Sequence, residues 1–396
     1  MATELAPGVY WVGAIDWTIR DFHGYSTEAG STYNAYLILD DKITLVDTVK
    51  KGFVPEMMTR ISDIIDPEKI TYIVSNHVEM DHSGSLAEVV DRVKPEKIFC
   101  SPQGKAGLSR HFKADWPFVE VKTGSELSLG RYNLAFLETP MLHWPDSMMT
   151  YLKEEQVLFS SDAFGAHLAC SERFDDQLPL FPANYGYELK KYYANILMPM
   201  GTLVTKLLKQ VNDLGLQFKI IAPDHGLIYR KNIGMVLEAY RKWAAGETDA
   251  KALVIYDTMW HSTEMLAGAL VQGLMDAGVE TQLHHLRHTH YSDILAELLE
   301  AGLFLLGSPT LNNTIFPSVG QFLTYLKGLK PKNKAAAAFG SYGWSGQAVG
   351  LLTEELKAMG LTIAHEGFKV KYIPDPEELD AARALGAKLA EEHLQG

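Results

Sequence analysis

The chain has 396 residues, of which 47% are hydrophobic and 21% are charged. This profile is typical of a folded enzyme and excludes a disordered chain, and the length predicts two domains rather than one core. Acidic residues outnumber basic ones by 49 to 36, so the formal net charge of −13 argues against nucleic acid as the main partner.

The first part of the chain, to about residue 246, mixes strands and helices unevenly. Apolar alternation predicts early strands at GVYWVGAID and YNAYLILDDKITLVDT, and two strand–helix units follow, TYIVSNH with SGSLAEVVDRV and KIFCS with QGKAGLSRHF. Further strands are predicted at VEVKTGSELSLG, YNLAFLETPM and MMTYLKEEQVLFSSD. A helical region from about Tyr187 to Leu214 precedes the strand KIIAPDH and a helix from Ile233 to Ala245. This order favours a two-sheet αββα sandwich.

A small, polar stretch, AAGETDAK at residues 244–251, marks the expected domain boundary, giving domains 1–246 and 247–396. From Ala252 the pattern becomes regular, and the strands ALVIYD, VETQLHHL, LFLLGS, AAAAFGS and FKVKYI alternate with helices. Strict alternation predicts a doubly wound parallel sheet. Five strands suit the flavodoxin-like order, in which ligands bind at the carboxyl ends of the strands.

Four potential metal ligands occur within six residues, in the segment His77-Val78-Glu79-Met80-Asp81-His82. The segment follows the predicted strand TYIVSN, and catalytic groups concentrate in loops of this kind. His77, Glu79 and Asp81 alternate, so an extended chain would point them the same way. As the chain turns, Asp81 and His82 can serve a second ion. The segment therefore predicts a binuclear metal site.

More candidate ligands follow later strands: His143 in TPMLHWPDS, Asp162 after VLFSS, and His225 in APDHG. Each of them alone would more often be a structural residue, but together they are expected at one edge of the sandwich. Seven ligands suit two metals that share one carboxylate. Carboxylates with imidazoles favour iron, whereas imidazole and thiolate suit zinc. Asp224 is expected behind the ligands, and His167 is interpreted as structural or pocket-lining.

Three loops of the second half each follow a strand and carry groups suited to a flavin nucleotide. The first offers hydroxyl and backbone N–H groups before a helix, as a phosphate cradle requires. The other two suit opposite edges of an isoalloxazine ring. These loops contain Thr258, Met259, Trp260, His261, Ser262 and Thr263, then Pro309, Thr310, Leu311, Asn312 and Asn313, and finally Ser341, Tyr342, Gly343, Trp344, Ser345 and Gly346. No GxGxxG motif with a ribose-binding acid is present, so this chain is not expected to hold NAD. The flavin therefore needs an electron source outside the chain.

Other features bear on the cellular setting. No apolar run approaches the length of a membrane span, and the N-terminus lacks the pattern of a signal peptide. Cys100 and Cys170 lie in apolar stretches and are interpreted as free thiols in a reducing cytosol. We therefore expect a cytoplasmic protein with no membrane partner. The run HHLRHTH, His284 to His290, is interpreted as a solvated, weakly basic face rather than a metal site.

The motif His77-x-Glu79-x-Asp81-His82 resembles that of the flavodiiron proteins, which share a fold with zinc hydrolases that carry histidine where Glu79 stands. The resemblance covers the whole chain, because the flavodoxin-like half also matches. It implies a metallo-β-lactamase-like αββα sandwich followed by a flavodoxin-like sheet, with FMN and two iron ions as cofactors. By resemblance, one iron would be held by His77, Glu79 and His143, and the other by Asp81, His82 and His225, with Asp162 bridging. In some members the histidine matching His82 is turned away from the metal.

The resemblance also implies an oxidoreductase that reduces dioxygen to water, nitric oxide to nitrous oxide, or both. Electrons would pass through FMN from an external donor such as rubredoxin. The segment with His23 and Tyr25 lies over the di-iron pocket in the family, where either side chain could donate a hydrogen bond to bound gas. An ordinary polar loop is the alternative reading of this segment. Trp144 and Met80 are expected to line an apolar pocket for the uncharged gas.

The resemblance implies a head-to-tail homodimer or a dimer of dimers, because the two cofactor sites of one chain are far apart in the family and adjacent across such a dimer. Two other classes of protein fit parts of the pattern. One is a binuclear zinc hydrolase fused to a flavodoxin, against which Glu79 argues. The other is a non-catalytic electron carrier whose first half is only a scaffold. The ligand pattern serves dioxygen and nitric oxide equally.

Overall fold

The structure is a computed structural model that describes residues 2–179, 181, 183 and 185–395. Its chain forms two compact units, one with Met1–Tyr192 and Thr202–Arg241, the other with Tyr193–Gly201 and Lys242–Gly396. The boundary between residues 246 and 247 stays a prediction. Among the described residues, no helix combines the length and the apolar character needed to cross a membrane.

The first unit is built on a seven-stranded and a five-stranded sheet. The larger sheet has the order β1-β2-β7-β8-β9-β10-β11, the smaller one β12-β13-β14-β15-β16, and two short pairs, β3-β6 and β4-β5, accompany them. The strands are β1 (Thr3–Ala6), β2 (Val9–Trp11), β3 (Ala14–Asp16), β4 (Asp21–Phe22), β5 (Tyr25–Ser26), β6 (Ser31–Tyr33), β7 (Tyr36–Ile38), β8 (Thr44–Val46), β9 (Tyr72–Val74), β10 (Lys97–Cys100), β11 (Phe118–Glu120), β12 (Glu126–Ser128), β13 (Asn133–Glu138), β14 (Met148–Leu152), β15 (Val157–Phe159) and β16 (Ile220–Ala222).

Helices pack against the outer face of the larger sheet. One core of buried side chains, including Trp11, Phe99 and Phe159, joins residues of both sheets, so it fills the sandwich interior. A second core joins the larger sheet to helical residues such as Met57 and Val89. The helices are α1 (Val54–Ser62), α2 (Met80–Ser83), α3 (Leu86–Val93), α4 (Pro102–Phe112), α5 (Gly186–Tyr192), α6 (Gly201–Asp213) and α7 (Ile233–Ala245). The predicted αββα sandwich is confirmed.

The helical region predicted from Tyr187 to Leu214 is present but not continuous. Between α5 and α6 the chain is π-helical over Tyr193–Leu197 and 3₁₀-helical over Met198–Met200. Pro199 accounts for the break, because it has no N–H to donate and its ring clashes with the carbonyl one turn earlier.

The second unit is a five-stranded parallel sheet with helices on both faces. Its strand order is β18-β17-β19-β22-β23, which is the predicted flavodoxin-like order, and every neighbouring pair is parallel. The elements are β17 (Asp249–Tyr256), α8 (Ser262–Asp276), β18 (Glu280–His285), α9 (Tyr291–Leu298), β19 (Ala301–Gly307), β20 (Thr310–Leu311), β21 (Thr314–Ile315), α10 (Pro317–Leu329), β22 (Ala335–Tyr342), α11 (Gln347–Ala358), β23 (Thr362–Lys371) and α12 (Pro376–Leu394).

Candidate metal centre and flavin loops

The seven predicted metal ligands come from four strand ends and one short helix of the first unit. His77 and Glu79 follow β9, and Asp81 and His82 lie in α2. The others follow separate strands: His143 comes after β13, Asp162 after β15, and His225 after β16. All seven lie in two groups whose potential ligand atoms are within 4.8 Å of one another.

The first group surrounds one oxygen of Asp162. Its Oδ2 lies 3.3 Å from Nε2 of His77 and 3.0 Å from Nε2 of His143. Oε2 of Glu79 completes the group, at 3.3 Å from Nε2 of His77 and 3.2 Å from Nε2 of His143. Two imidazole nitrogens and two carboxylate oxygens therefore converge on one point.

The second group surrounds the other oxygen of Asp162. Its Oδ1 lies 3.1 Å from Nε2 of His82 and 3.5 Å from Nε2 of His225. Oδ2 of Asp81 lies 3.1 Å from Nε2 of His225 and 3.4 Å from Nε2 of His82. The ring of His82 thus faces the group rather than turning away from it. Asp162 is shared by both groups, one oxygen each.

The donor set fits two cations. Within the described chain, neither carboxylate oxygen of Asp81 accepts a hydrogen bond, nor does Oδ2 of Asp162, although all three are buried. Buried carboxylate oxygens without such partners are costly unless a cation meets them. Imidazole nitrogens combined with carboxylates are ligands that suit iron.

When no metal is bound, protons on the histidines balance the negative charges of the carboxylates in this cluster. Burial lowers the pKa of His77, but Asp146 and Glu79 outweigh it and raise the value to about 10. Burial likewise opposes Asp162 and Glu79 at His143, whose pKa rises to about 9. Burial raises the pKa of Glu79, but His143 and His77 hold it well below its usual range. Metal binding must therefore displace protons from these histidines.

A further layer of buried groups fixes the orientation of the histidines. Nδ1 of His77 lies 3.0 Å from Oδ2 of Asp146, which also accepts a hydrogen bond from the backbone N–H of Val78. Nδ1 of His82 lies 3.7 Å from Asp224, whose pKa burial raises well above its usual range. Sequence reasoning missed Asp146. Its one signal was an acidic residue shortly after the candidate ligand His143.

His23 and Tyr25, which were predicted to lie together over the metal pocket, occupy different positions in the structure. His23 is exposed at the turn between β4 and β5, and its Nε2 lies 2.7 Å from Oε1 of Glu79. Tyr25 is buried, and its ring centroid lies 5.3 Å from that of His167. His167 is itself buried, 4.7 Å from the ring of His225, with Nδ1 2.8 Å from the Ser31 hydroxyl. His23 therefore borders the cluster, while Tyr25 lies behind it.

Of the two residues expected to form an apolar lining, Trp144 lies beside the cluster. The ring of Trp144 lies 5.4 Å from that of His77, nearly perpendicular to it. Met80 is more exposed, with 45% of its surface accessible.

The first flavin loop joins β17 to α8. Thr263 is buried in the first turn of α8, and its hydroxyl lies 2.8 Å from that of Ser341 in the third loop. Oγ1 of Thr258 is buried and makes no hydrogen bond to any described residue. A buried hydroxyl beside the N-terminus of a helix fits a bound phosphate. Trp260 is 85% exposed.

The second and third loops lie together. β20 and β21 form a hairpin whose turn residues, Asn312 and Asn313, both have positive φ. The Ser345 hydroxyl donates a 2.8 Å hydrogen bond to Oδ1 of Asn313, and Trp344 beside it is 86% exposed. A small cleft between these loops is lined by Thr310, Asn312, Asn313, Gly343, Trp344 and Ser345. The three loops thus fit a flavin nucleotide at the carboxyl ends of the strands.

Comparison with known proteins covers the whole chain. The ODP family beta lactamase matches residues 32–226, and the flavodoxin family matches residues 254–386. The chain is 47% identical to "Nitric oxide reductase" of Moorella thermoacetica over 98% of this chain and 97% of the relative. It is 43% identical to "Rubredoxin-oxygen oxidoreductase" of Megalodesulfovibrio gigas over 98% of this chain and 99% of the relative.

Solved structures agree with these relatives. The rubredoxin oxygen:oxidoreductase from the anaerobe Desulfovibrio gigas superposes with a TM-score of 0.97 at 41% identity, covering 99% of this chain and 98% of that one. The flavodiiron protein from Giardia intestinalis superposes with a TM-score of 0.95 at 34% identity, covering 99% and 96%. Sequence, fold and ligand geometry lead to one conclusion: the chain belongs to the flavodiiron protein family.

Proposed function

We propose that this chain is an oxidoreductase that reduces dioxygen to water, nitric oxide to nitrous oxide, or both, with electrons relayed through FMN from a rubredoxin-like donor. One observation carries the proposal: Asp162 offers a separate oxygen to each of two histidine–carboxylate groups. Relatives that match nearly the full chain are named for nitric oxide and for rubredoxin and oxygen.

Seven residues are assigned to the two irons. The first ion would be held by His77, Glu79 and His143, the second by Asp81, His82 and His225, and Asp162 would bridge them. When bound, the irons and FMN supply the redox chemistry, because together they store the electrons that the gas consumes. His82 is included because its Nε2 faces the bridging carboxylate at 3.1 Å.

The chain's own residues orient the ligands and shape the pocket. Asp146 fixes the His77 ring so that Nε2 faces the cluster. His23 holds an imidazole beside Glu79 at the border of the cluster, where it can donate a hydrogen bond to a bound gas. Tyr25 is buried against His167, behind the cluster. We therefore assign it a supporting role in packing rather than a contact with the gas. The Trp144 ring packs against the ring of His77 and adds an apolar surface beside the cluster.

The flavin is assigned to the second domain, residues 247–396. The phosphate would lie among Thr258–Thr263 at the start of α8, and the ring between Pro309–Asn313 and Ser341–Gly346. The orphaned hydroxyl of Thr258 and the joined hairpin and third loop support this assignment. The first domain, residues 1–246, would hold the irons.

The head-to-tail homodimer, or a dimer of such dimers, completes the electron route in this proposal. It would place the flavin of one subunit beside the irons of its partner. A cytoplasmic location is proposed with it, because a rubredoxin-like donor is itself a small soluble protein.

The zinc hydrolase and the simple electron carrier are not favoured. A hydrolase of this fold has histidine where Glu79 stands, and Glu79 adds a third carboxylate to the cluster, which suits iron. An electron carrier would have no need for a buried group of seven convergent ligands, since such burial costs stability.

The test is anaerobic reduction of the iron- and FMN-loaded protein, followed by one pulse of each gas. Reduction to water consumes four electrons per dioxygen, and coupling to nitrous oxide consumes one per nitric oxide. We expect His143→Ala to lose iron and gas consumption while keeping FMN. His111→Ala, at an exposed site on α4, serves as the matched control. Two zinc ions per chain with hydrolytic turnover, or gas consumption that survives iron loss, would overturn the proposal.

A further inference from the structure

The histidine run His284–His290, which begins in the last two residues of β18, is not simply a solvated face. His285 stacks on Tyr256, with ring centroids 5.0 Å apart and planes 11° from parallel. Its Nε2 lies 3.1 Å from Oδ1 of Asp257, a fully buried carboxylate at the end of β17. Both contacts hold the ring in one orientation, so the direction of its other nitrogen, Nδ1, is fixed.

A second histidine meets that nitrogen. Nδ1 of His288 lies 3.2 Å from Nδ1 of His285, and the two ring centroids are 4.4 Å apart. The backbone N–H of His288 donates a 2.9 Å hydrogen bond to the carbonyl of His285, so a tight turn sets the spacing. Two imidazole nitrogens face each other across this turn, one held by the protein and one exposed.

We propose that His285 and His288 form a surface site for a late first-row divalent cation such as Zn²⁺. A neutral imidazole pair suits this class of ion. With a zinc–nitrogen distance of about 2.1 Å, a separation of 3.2 Å gives an N–Zn–N angle of about 100°, close to tetrahedral. Water or an incoming ligand would fill the remaining positions.

The Asp257 contact is what distinguishes this pair from two histidines that merely touch. A ligating histidine almost always donates its other ring N–H to a carboxylate or carbonyl, which fixes the tautomer and makes the free nitrogen a better ligand. Asp257 takes that place behind His285. It also pairs with Arg287 at 2.7 Å, so the guanidinium charge beside the site is compensated.

The test is a Zn²⁺ titration of the iron- and FMN-loaded protein against a chromophoric chelator. With both irons in place, we expect one more zinc equivalent in the wild type than in His288→Ala. His288 is exposed, so its removal leaves the fold intact. Histidine-selective ¹⁵N NMR should show zinc-dependent shifts at Nδ1 of His285 and His288. His111→Ala, on the first unit, is the control and should retain the extra equivalent.

Two further results separate a built site from a chance pair. Asp257→Asn should weaken zinc binding by about 10- to 100-fold at unchanged stoichiometry, the usual effect of removing such a partner. FMN content is measured in parallel, because Asp257 adjoins the phosphate loop. The proposal would be overturned if the wild type and His288→Ala bound the same number of zinc ions. It would also be overturned if the Nδ1 resonances of His285 and His288 did not shift on addition of zinc.

Discussion

At the scale of single residues, Asp162 organises the candidate centre. Its two oxygens face different histidine pairs, so one buried carboxylate joins a ligand group from the β9 end to one from α2 and the β16 end. Both groups depend on Asp162, and its buried Oδ2, which accepts no hydrogen bond from the described residues, fits a bound cation.

Asp146 gives the first prediction. Asp146→Asn should weaken iron binding by about 10- to 100-fold, because a neutral amide oxygen accepts more weakly than the charged carboxylate oxygen that serves both His77 Nδ1 and the Val78 N–H. Iron affinity is measured by anaerobic titration of the metal-free protein. Asp213→Asn, at the exposed end of α6, is the control. An unchanged affinity in Asp146→Asn would show that His77 needs no such support.

Lys334 gives a prediction on pH. It lies buried just before β22 and donates a 2.8 Å hydrogen bond to the carbonyl of Leu299. Burial lowers its pKa to about 7, against the opposing effect of Glu300 and Asp249. Between pH 7 and 10 the unfolded chain binds a proton at this lysine that the folded chain does not, so folding becomes more favourable as pH rises.

Relative to Lys334→Met, the wild type should therefore gain about 4 kcal/mol of unfolding free energy between pH 7 and pH 10, at about 1.4 kcal/mol per pH unit. Urea unfolding of both proteins at the two pH values measures this difference, and shared titrations of other groups cancel in it. Parallel pH profiles for the two proteins would contradict the prediction.

Several site residues could be predicted at this scale because they share one sequence signal. His77, Glu79, Asp81 and His82 are crowded into six residues, and spacing alone indicates a metal site. Asp146 carries no such signal, since its role depends on a loop folding back onto β9. The Nδ1 pair of the histidine run was likewise hidden, because it depends on a turn and on a carboxylate from another strand.

At the scale of elements, periodicity predicted the second unit well and the first unit less well. The five strands of its sheet, β17, β18, β19, β22 and β23, alternate with helices, so the local sequence pattern indicates each of these elements. In the first unit, the segment VEVKTGSELSLG is predicted as a single extended stretch, yet it contains the end of β11 in one sheet and all of β12 in the other. Which sheet a strand joins depends on pairing with strands that are distant in the sequence. The local sequence pattern contains no information about that pairing.

Two glycines let α8 and α12 approach closely, and this leads to an element-scale prediction. A Cβ at Gly386 would overlap the carbonyl oxygen of Leu270, and one at Gly273 would overlap that of Arg383. Gly386→Ala should therefore lower the unfolding free energy by about 1–3 kcal/mol, the usual cost of overpacking. Thermal and urea unfolding of the FMN-loaded protein measure the change.

Gly268, in the same helix α8, provides the matched control. A Cβ there meets nothing within 4 Å, so Gly268→Ala should raise stability by about 0.5–1 kcal/mol through helix propensity alone. If Gly386→Ala also stabilises the protein, close approach of the two helices is not what that glycine provides.

At the scale of the whole molecule, the two cofactor sites belong to different units of the chain. The metal residues all lie in the unit that contains β1–β16, and the flavin loops all lie in the unit that contains β17–β23. Electron transfer must therefore connect two compact units of the chain. The proposed head-to-tail dimer makes that connection between subunits, and this can be tested with mixed dimers.

The last prediction pairs two inactive variants. His143→Ala keeps the flavin but lacks a complete metal centre. Ser262→Glu keeps the metal centre, but its carboxylate occupies the start of α8 and repels the flavin phosphate, while remaining compatible with the helix N-terminus.

In a head-to-tail mixed dimer, the intact flavin of the first variant faces the intact metal centre of the second. We therefore expect gas consumption to return when the two are co-expressed and purified through different tags, to about half the wild-type rate per dimer because one of two electron routes is restored. Each variant alone should stay inactive. If mixed dimers form and remain inactive, electrons travel within one chain and the head-to-tail arrangement is excluded as the working route.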